Sequence, residues 1–225
     1  MNLERLWLWF FPRRCVWCAG VTAPEEMFCA GCADKAGSIL EPGLLPGTDL
    51  PLVCVFTYYS KASKILLNLK FHDGRGLAPS IGYAMAEALI ASHLADKPGW
   101  LFCAVPMTPA KVRQRGYNQS ELLAKSAARW PGMDYASGLL RKTQETPAQH
   151  GLSREQRQNN ISGAFKVSQA GRVAGRRIVL CDDICTTGAT LREAARVLNE
   201  AGAEELVCLT YLRTELEEKN HDSEV

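Results

Sequence analysis

The chain has 225 residues, 47% of them apolar, and a formal net charge of +2. That is enough for one medium-sized core with a small appendage, and it excludes a fibrous or wholly disordered chain. A balance so near neutral carries no global nucleic-acid signal, and nine cysteines, an odd number in a chain this long, do not make a disulfide framework.

Residues 6–11 are apolar, but six residues cannot span a bilayer, Glu4 and Arg5 precede them, and Pro12-Arg13-Arg14-Cys15 follows in place of a small-residue cleavage site. A cytoplasmic protein without a membrane span is expected. Cys15-Val-Trp-Cys18 and Cys29-Ala-Gly-Cys32 then form two CxxC knuckles ten residues apart, with Gly20 and Gly31 easing the turns. Four thiolates on one ion favour tetrahedral structural zinc, with no open position for catalysis. A segment this short has no core of its own, so the metal would supply its folding energy. Two disulfides are the alternative, which a reducing compartment disfavours. Trp7, Trp9, Phe10, Phe11 and Trp17 crowd the first knuckle. They are expected to glue this segment, residues 1–40, to the main domain; a base-stacking platform is their other use.

Residues 41–51 hold three prolines and two glycines and read as a linker. The main domain is expected over 52–214. Residues 52–58 read as a strand, and 60–69 as a helix burying Ile65, Leu66 and Leu69. Residues 71–75 are a polar turn, and 77–94 a second helix with Ile81, Met85, Ala88 and Leu89 inward. His72 and His93 stand alone and receive no ligand role. Residues 101–105 form a short strand ending at Pro106. A loop over 107–116 follows, and Asn118 caps a helix running through 125. Arg113 and Arg115 on this loop offer fixed forks of N–H donors suited to phosphate. Residues 139–142 read as a strand, 143–151 as a mobile loop, and 153–156 as a capping box opening a short helix. Between 111 and 157 nine basic residues stand against four acidic ones, a local +5 that suits pyrophosphate or nucleic-acid phosphates; a solvated basic face is the plainer alternative.

Residues 178–190 read IVLCDDICTTGAT. Four apolar residues, 178–181, make a short buried strand. Asp182 and Asp183 follow at its carboxyl end, where open α/β sheets bind ligands. The turn of Thr186, Thr187, Gly188, Ala189 and Thr190 then opens a helix burying Leu191, Ala194, Ala195, Val197 and Leu198. Free N–H groups at a helix N-terminus favour an anion, Gly188 lets backbone approach it, and the threonine hydroxyls add donors. The turn lacks the lysine of a nucleotide-triphosphate loop. Paired acceptors beside a phosphate cradle suit a sugar diol with a 5′-phosphate. Cys54, Cys103, Cys181 and Cys208 sit in apolar runs and are expected in the core, whereas Cys185 falls in the turn, a position that allows exposure. Residues 206–212 form a last strand, and 215–225 an acidic tail expected to fray.

The stretch IVLCDDICTTGAT resembles the phosphoribosyl-pyrophosphate (PRPP) signature of type I phosphoribosyltransferases. The resemblance implies that Asp182 and Asp183 hold the ribose 2′ and 3′ hydroxyls and that Thr186, Thr187, Gly188 and Thr190 hold the 5′-phosphate. It also implies that Arg113 and Arg115 meet pyrophosphate, and that the polar loop after residue 142, with Arg141, Lys142, Arg154 and Arg157, closes as a lid. Together with LWLWFFPRRCVWC, the second CxxC, VPMTPAKVRQRGYNQSELL and RKTQETPAQHGLSREQRQNNISGAF, it makes nearly the whole chain resemble the ComF/GntX family. That family joins a four-cysteine zinc motif to a phosphoribosyltransferase-like domain and is associated with competence and the uptake or use of external DNA. The fold implied is α/β, a type I phosphoribosyltransferase-like parallel sheet flanked by helices, with a small zinc-ribbon-like segment at the N-terminus. The cofactors implied are structural zinc and magnesium bound with PRPP. The partners implied are PRPP or another ribose 5-phosphate ligand, single-stranded DNA, and DNA-uptake or recombination proteins. The chain is also similar to the phosphoribosyl domain of glutamine amidophosphoribosyltransferase. However, Met1-Asn2 offers no N-terminal cysteine nucleophile and no stretch has room for a glutaminase domain, so glutamine-dependent amine transfer is not expected. The hood that selects a nucleobase is not evident before Leu52. Two function classes therefore stay open: a magnesium-dependent phosphoribosyltransferase with an unnamed acceptor, and a non-catalytic module on that scaffold binding single-stranded DNA or protein.

Overall fold

The structure, a computed structural model, describes residues 14–23, 26–33, 40–58, 62–71, 74–143 and 161–214. Its centre is a sheet of six strands: β1 (Gly43–Leu44), β2 (Pro51–Thr57), β3 (Trp100–Ala104), β4 (Asp134–Tyr135), β7 (Arg177–Cys185) and β8 (Glu205–Arg213). They lie in the order β1-β2-β8-β7-β3-β4, parallel throughout except where β1 pairs antiparallel with β2. Two further strands, β5 (Leu140–Lys142) and β6 (Phe165–Val167), form a separate antiparallel pair.

Alternation along the strands divides the core between two faces. Val53, Val55, Phe102, Val179, Cys181 and Leu209 face one side, under α2 (Ala62–Phe71), α3 (Ala78–Ala91) and α5 (Gln119–Arg129). Leu52, Cys54, Cys103, Ile178, Leu180 and Cys208 face the other, under α6 (Ala189–Glu200) and the β5–β6 pair. Both faces are covered, as parallel strands with near-continuous apolar runs require. All the inward residues expected on α2, α3 and α6 are buried, as are Cys54, Cys103, Cys181 and Cys208.

Helix α3 packs closely on α5. A Cβ at Gly82 would stand 2.3 Å from the Ser126 Cβ and 2.8 Å from the Ala127 nitrogen, so only glycine permits this crossing. The N-terminal segment, which holds the single-turn helix α1 (Ala30–Ala33), docks on the same layer. Tyr211 Oη donates to the Val16 carbonyl at 2.7 Å, and the Trp17 and Phe28 rings pack against Phe56, 5.5 and 6.0 Å between centroids. Trp17 thus serves as glue; Trp7, Trp9, Phe10 and Phe11 lie outside the described residues.

Several elements differ from the sequence expectation. The stretch 107–116 is not a loop: it holds helix α4 (Pro109–Arg115), capped by Thr108, whose hydroxyl accepts from the Lys111 N–H, and closed by Gly116 at φ +86°. The site strand does not end at Cys181 but runs through the acidic pair to Cys185. That extension buries Cys185, at 2% exposure, and burial pushes its thiol up to about 12. The stretch 41–51, expected to link, contributes β1 and a fully buried Leu45. The loop and capping box over 144–160, with Arg154 and Arg157, the tail 215–225 and His72 lie outside the described residues. Exposed His93, at φ +56°, pairs with Asp96 at 2.9 Å.

Candidate functional site

The site forms where β7 ends, beside the N-termini of α5 and α6. Asp182 and Asp183 are both buried, at 9% and 3% exposure. Successive residues of a strand point to opposite faces, so the two carboxylates leave β7 differently, yet both reach donors on the first turn of α5. Asp183 shares the parity of Val179 and Cys181 and turns to the layer of α2 and α5. Its Oδ2 accepts from Lys70 Nζ at 2.8 Å and from Gln119 Nε2 at 3.0 Å. Asp182 shares the parity of Ile178 and Leu180. Its Oδ1 accepts from Ser120 Oγ at 2.7 Å and from the Asp183 N–H at 2.9 Å.

Gln119 and Ser120 are the first residues of α5. Asn118 caps that helix by accepting from the Ser120 N–H, and donates its own amide to the Val105 carbonyl at 3.0 Å. The cap therefore fixes both side chains that hold the acidic pair. Burial, and then the Asp183 charge, raise the Asp182 carboxyl far above its ordinary range; the Ser120 hydrogen bond only partly opposes them.

Gly188 caps α6 at φ +74°, a left-handed conformation that favours glycine. A Cβ there would meet Leu45 Cδ1 at 3.1 Å and Arg192 Nη1 and Pro46 Cδ at 3.2 Å. The glycine is thus required by the turn and by the packed 41–51 stretch. Arg192 reinforces it by donating from Nη1 to the Pro46 and Thr187 carbonyls at 2.6 and 2.8 Å. Thr186, Thr187 and Thr190 are half-buried around the turn.

The two arginines of the 107–116 stretch stand differently. Arg113 is exposed on α4. Arg115 donates from Nη1 to Gln119 Oε1 at 2.6 Å and lies 5.3 Å over the Phe71 ring. Arg115, Gln119, Asp183 and Lys70 thus form one connected chain of polar contacts. On the opposite side Lys142, at the end of β5, lies near enough to Lys111 and Asp182 for their charges to act on its ammonium. Burial first, and Lys111 second, lower its pKa. Glu193 on α6 accepts the Gly163 N–H at 2.7 Å and two hydrogen bonds from Arg196, which hold its carboxyl below the usual range. It ties the start of the β6 arm to the helix that the turn opens. Lys70, Gln119 and Ser120 carried no signal in the local sequence pattern, since they reach the aspartates from distant parts of the chain.

The four cysteines form a separate cluster. The sulfurs of Cys15, Cys18, Cys29 and Cys32 all lie within 4.8 Å of one another, with Cys18 and Cys29 at 3.7 Å. Tetrahedral zinc with bonds of about 2.3 Å spaces its sulfurs at about 3.8 Å, so the donor set fits zinc. Desolvation, together with the crowding of the other three sulfurs, pushes the Cys32 thiol up to about 12, a conflict that a bound cation would relieve. Among the described residues no helix is long and apolar enough to cross a membrane.

Residues 134–225 match the family model of the phosphoribosyl transferase domain. Competence protein F of Haemophilus influenzae is 27% identical over 221 residues, spanning 88% of this chain and 95% of that one. DNA utilization protein YhgH of Escherichia coli is 30% identical over 207 residues, spanning 87% and 88%. Among solved structures, the glutamine PRPP amidotransferase of B. subtilis, complexed with ADP and GMP, superposes loosely. Its TM-score is 0.40 at 23% identity, over 60% of this chain and 26% of that one. A mostly parallel sheet carrying the acidic pair and turn, a clustered four-cysteine segment and relatives aligned along almost their full length agree: the chain belongs to the ComF family.

Proposed function

We propose that the β7–α6 junction binds a ribose 5-phosphate group, with PRPP as the fullest ligand of that class. The observation that carries the reading is the joint placement of two buried carboxylates at a strand end and a half-buried threonine turn opening α6. The 5′-phosphate would lie on the free N–H groups and hydroxyls of Thr186, Thr187 and Thr190, with Gly188 shaping the turn. The acidic pair forms the diol end of the cradle. Arg113 and Arg115, with Lys111 and Lys142, furnish positive charge for the pyrophosphate. Magnesium would travel with the pyrophosphate oxygens, which suit a hard cation, and would help neutralise the charge that develops on departure. If transfer occurs, the arginines stabilise the leaving pyrophosphate and the carboxylates face the positive charge growing on the ribose.

The second reading concerns biological role. Relatives named for competence and DNA utilization, together with exposed Lys111 and Arg113 on α4, favour work in the uptake or use of external DNA. Single-stranded DNA or partner proteins would then be contacted by the basic face. The zinc segment would share that contact, and cysteines outside disulfides suit the reducing cytoplasm. Calorimetric titration with PRPP and Mg²⁺, beside the same titration with single-stranded DNA, tests both. Saturable binding of PRPP supports the first reading; binding of DNA alone, with none of PRPP or ribose 5-phosphate at millimolar concentration, leaves only the scaffold.

A further inference from the structure

The acidic pair is not a pair of equal acceptors. Asp183 is the more buried, and its Oδ2 already receives the Lys70 ammonium at 2.8 Å and the Gln119 amide at 3.0 Å. Lys70 is itself largely withdrawn from water, with 19% of its side chain exposed, at the end of a helix whose Ile65, Leu66 and Leu69 are in the core. Gln119 is held in turn by Arg115 at 2.6 Å. Asp182 differs in kind. It has hydroxyl and amide donors but no ion-pair partner among the described residues, and its charge reaches Lys142 at the end of β5.

We infer that Lys70 is the resident counter-ion of the acidic pair, and that Asp183 acts through it as a positioning residue while Asp182 is the carboxylate that meets the ribose. The inference rests on the ribose 5-phosphate reading of this site. Its physical basis is the cost of two adjacent buried negative charges. One ammonium at hydrogen-bond distance compensates Asp183, which lets the strand end keep both carboxylates in place. With Lys70 present, the cradle offers one carboxylate outside an ion pair, its Oδ1 held by Ser120 and the Asp183 N–H. Without it, two like charges compete for too few donors, and the end of β7 shifts or takes up a proton at the expense of the diol acceptor. The Arg115–Gln119 link then joins the pyrophosphate side of the cradle to the same fixed point.

A double-mutant cycle tests this, using Lys70→Met, Asp183→Asn and the combination, with Lys70→Arg and Asp182→Asn beside them. Each full-length protein is titrated with ribose 5-phosphate and unfolded thermally without ligand. Lys70→Met should weaken ribose 5-phosphate about tenfold and lower the melting temperature, because it leaves a buried carboxylate without its cation. Lys70→Arg should restore most of both. Asp183→Asn, alone or combined with Lys70→Met, should bind within about threefold of wild type, since asparagine keeps an oxygen for Gln119 and the charge conflict is gone. Asp182→Asn should lose about tenfold or more whatever stands at position 70. A combined variant that binds no better than Lys70→Met, in a wild type that binds, overturns the inference, because Asp183 then touches the ligand itself. A wild type that fails to bind overturns the ribose 5-phosphate reading and the ligand half of this inference with it. The unfolding cycle still decides whether Lys70 and Asp183 are coupled, and additive melting shifts would refute the counter-ion.

Discussion

Ser120 Oγ donates to Asp182 Oδ1 at 2.7 Å, a hydrogen bond between residues 62 positions apart that fastens the first turn of α5 to the end of β7. The contact makes the position of a helix part of the chemistry of a strand. Whatever moves α5 by a fraction of an ångström moves the donors of both aspartates.

The first prediction follows from that dependence. Gly82→Ala would bring a methyl to 2.3 Å from the Ser126 Cβ and 2.8 Å from the Ala127 backbone nitrogen, and backbone cannot swing aside. Overpacking of this kind costs about 1–3 kcal/mol. Chemical denaturation should register that loss. Ribose 5-phosphate binding should weaken too, since α5 carries Gln119 and Ser120 away from the acidic pair. Unchanged stability would mean that the two helices separate freely at this crossing.

The second concerns pH. Asp182 is raised in the folded protein from 3.8 to about 7, by burial first and the Asp183 charge second. Between those values the folded chain holds a proton that the unfolded chain has released, so this group makes stability fall as pH rises from about 4 to about 7. Asp182→Asn removes the titration. Melting temperatures of wild type and variant across that window should therefore diverge, with the wild type losing more on the alkaline side. Parallel curves would place the Asp182 carboxyl in its ordinary range.

The third concerns the cysteine cluster. Purified protein should contain about one zinc per chain, and Cys29→Ser should reduce that strongly. Because Val16 and Trp17 pack against Tyr211 and Phe56, chelation should also alter tryptophan fluorescence and lower the melting temperature of the whole chain. Stoichiometry near zero in freshly purified protein, with the four cysteines oxidised, would contradict the metal site.

The fourth concerns the basic helix. Lys111 and Arg113 are exposed on α4, whereas Arg115 is bound to Gln119. If α4 meets single-stranded DNA, replacing Lys111 and Arg113 by alanine should flatten the log–log salt dependence of binding, by about one unit for each phosphate that is no longer neutralised. An unchanged slope would put the DNA elsewhere or nowhere on this face.

Much of the architecture is legible in the chain itself. Apolar runs announced the four long parallel strands, helical spacing announced α2, α3 and α6, and paired CxxC knuckles announced the thiol cluster. Helix α4 escaped because it buries no residue and so has no apolar stripe; its signals were the Thr108 cap, Pro109 and Gly116. The stretch 41–51 looked like a linker because prolines and glycines dominate it. Its structural role comes from the burial of Leu45 and the contact with Gly188, which no local pattern encodes. The acidic pair and turn were legible as chemistry. The partition of the two aspartates, Asp183 with Lys70 and Gln119 and Asp182 with Ser120, was not, because it depends on which distant elements the sheet brings to its edge.

The ribose 5-phosphate site is tested most simply by calorimetric titration of wild type and Asp182→Asn with ribose 5-phosphate, under conditions where both are fully folded by thermal unfolding. Hydrogen bonds to a charged group contribute about 1.5–3 kcal/mol, so wild type should bind saturably and the variant with an affinity about tenfold to a hundredfold lower. Equal affinity in the two proteins, or no binding by wild type at millimolar ligand, would contradict the assignment.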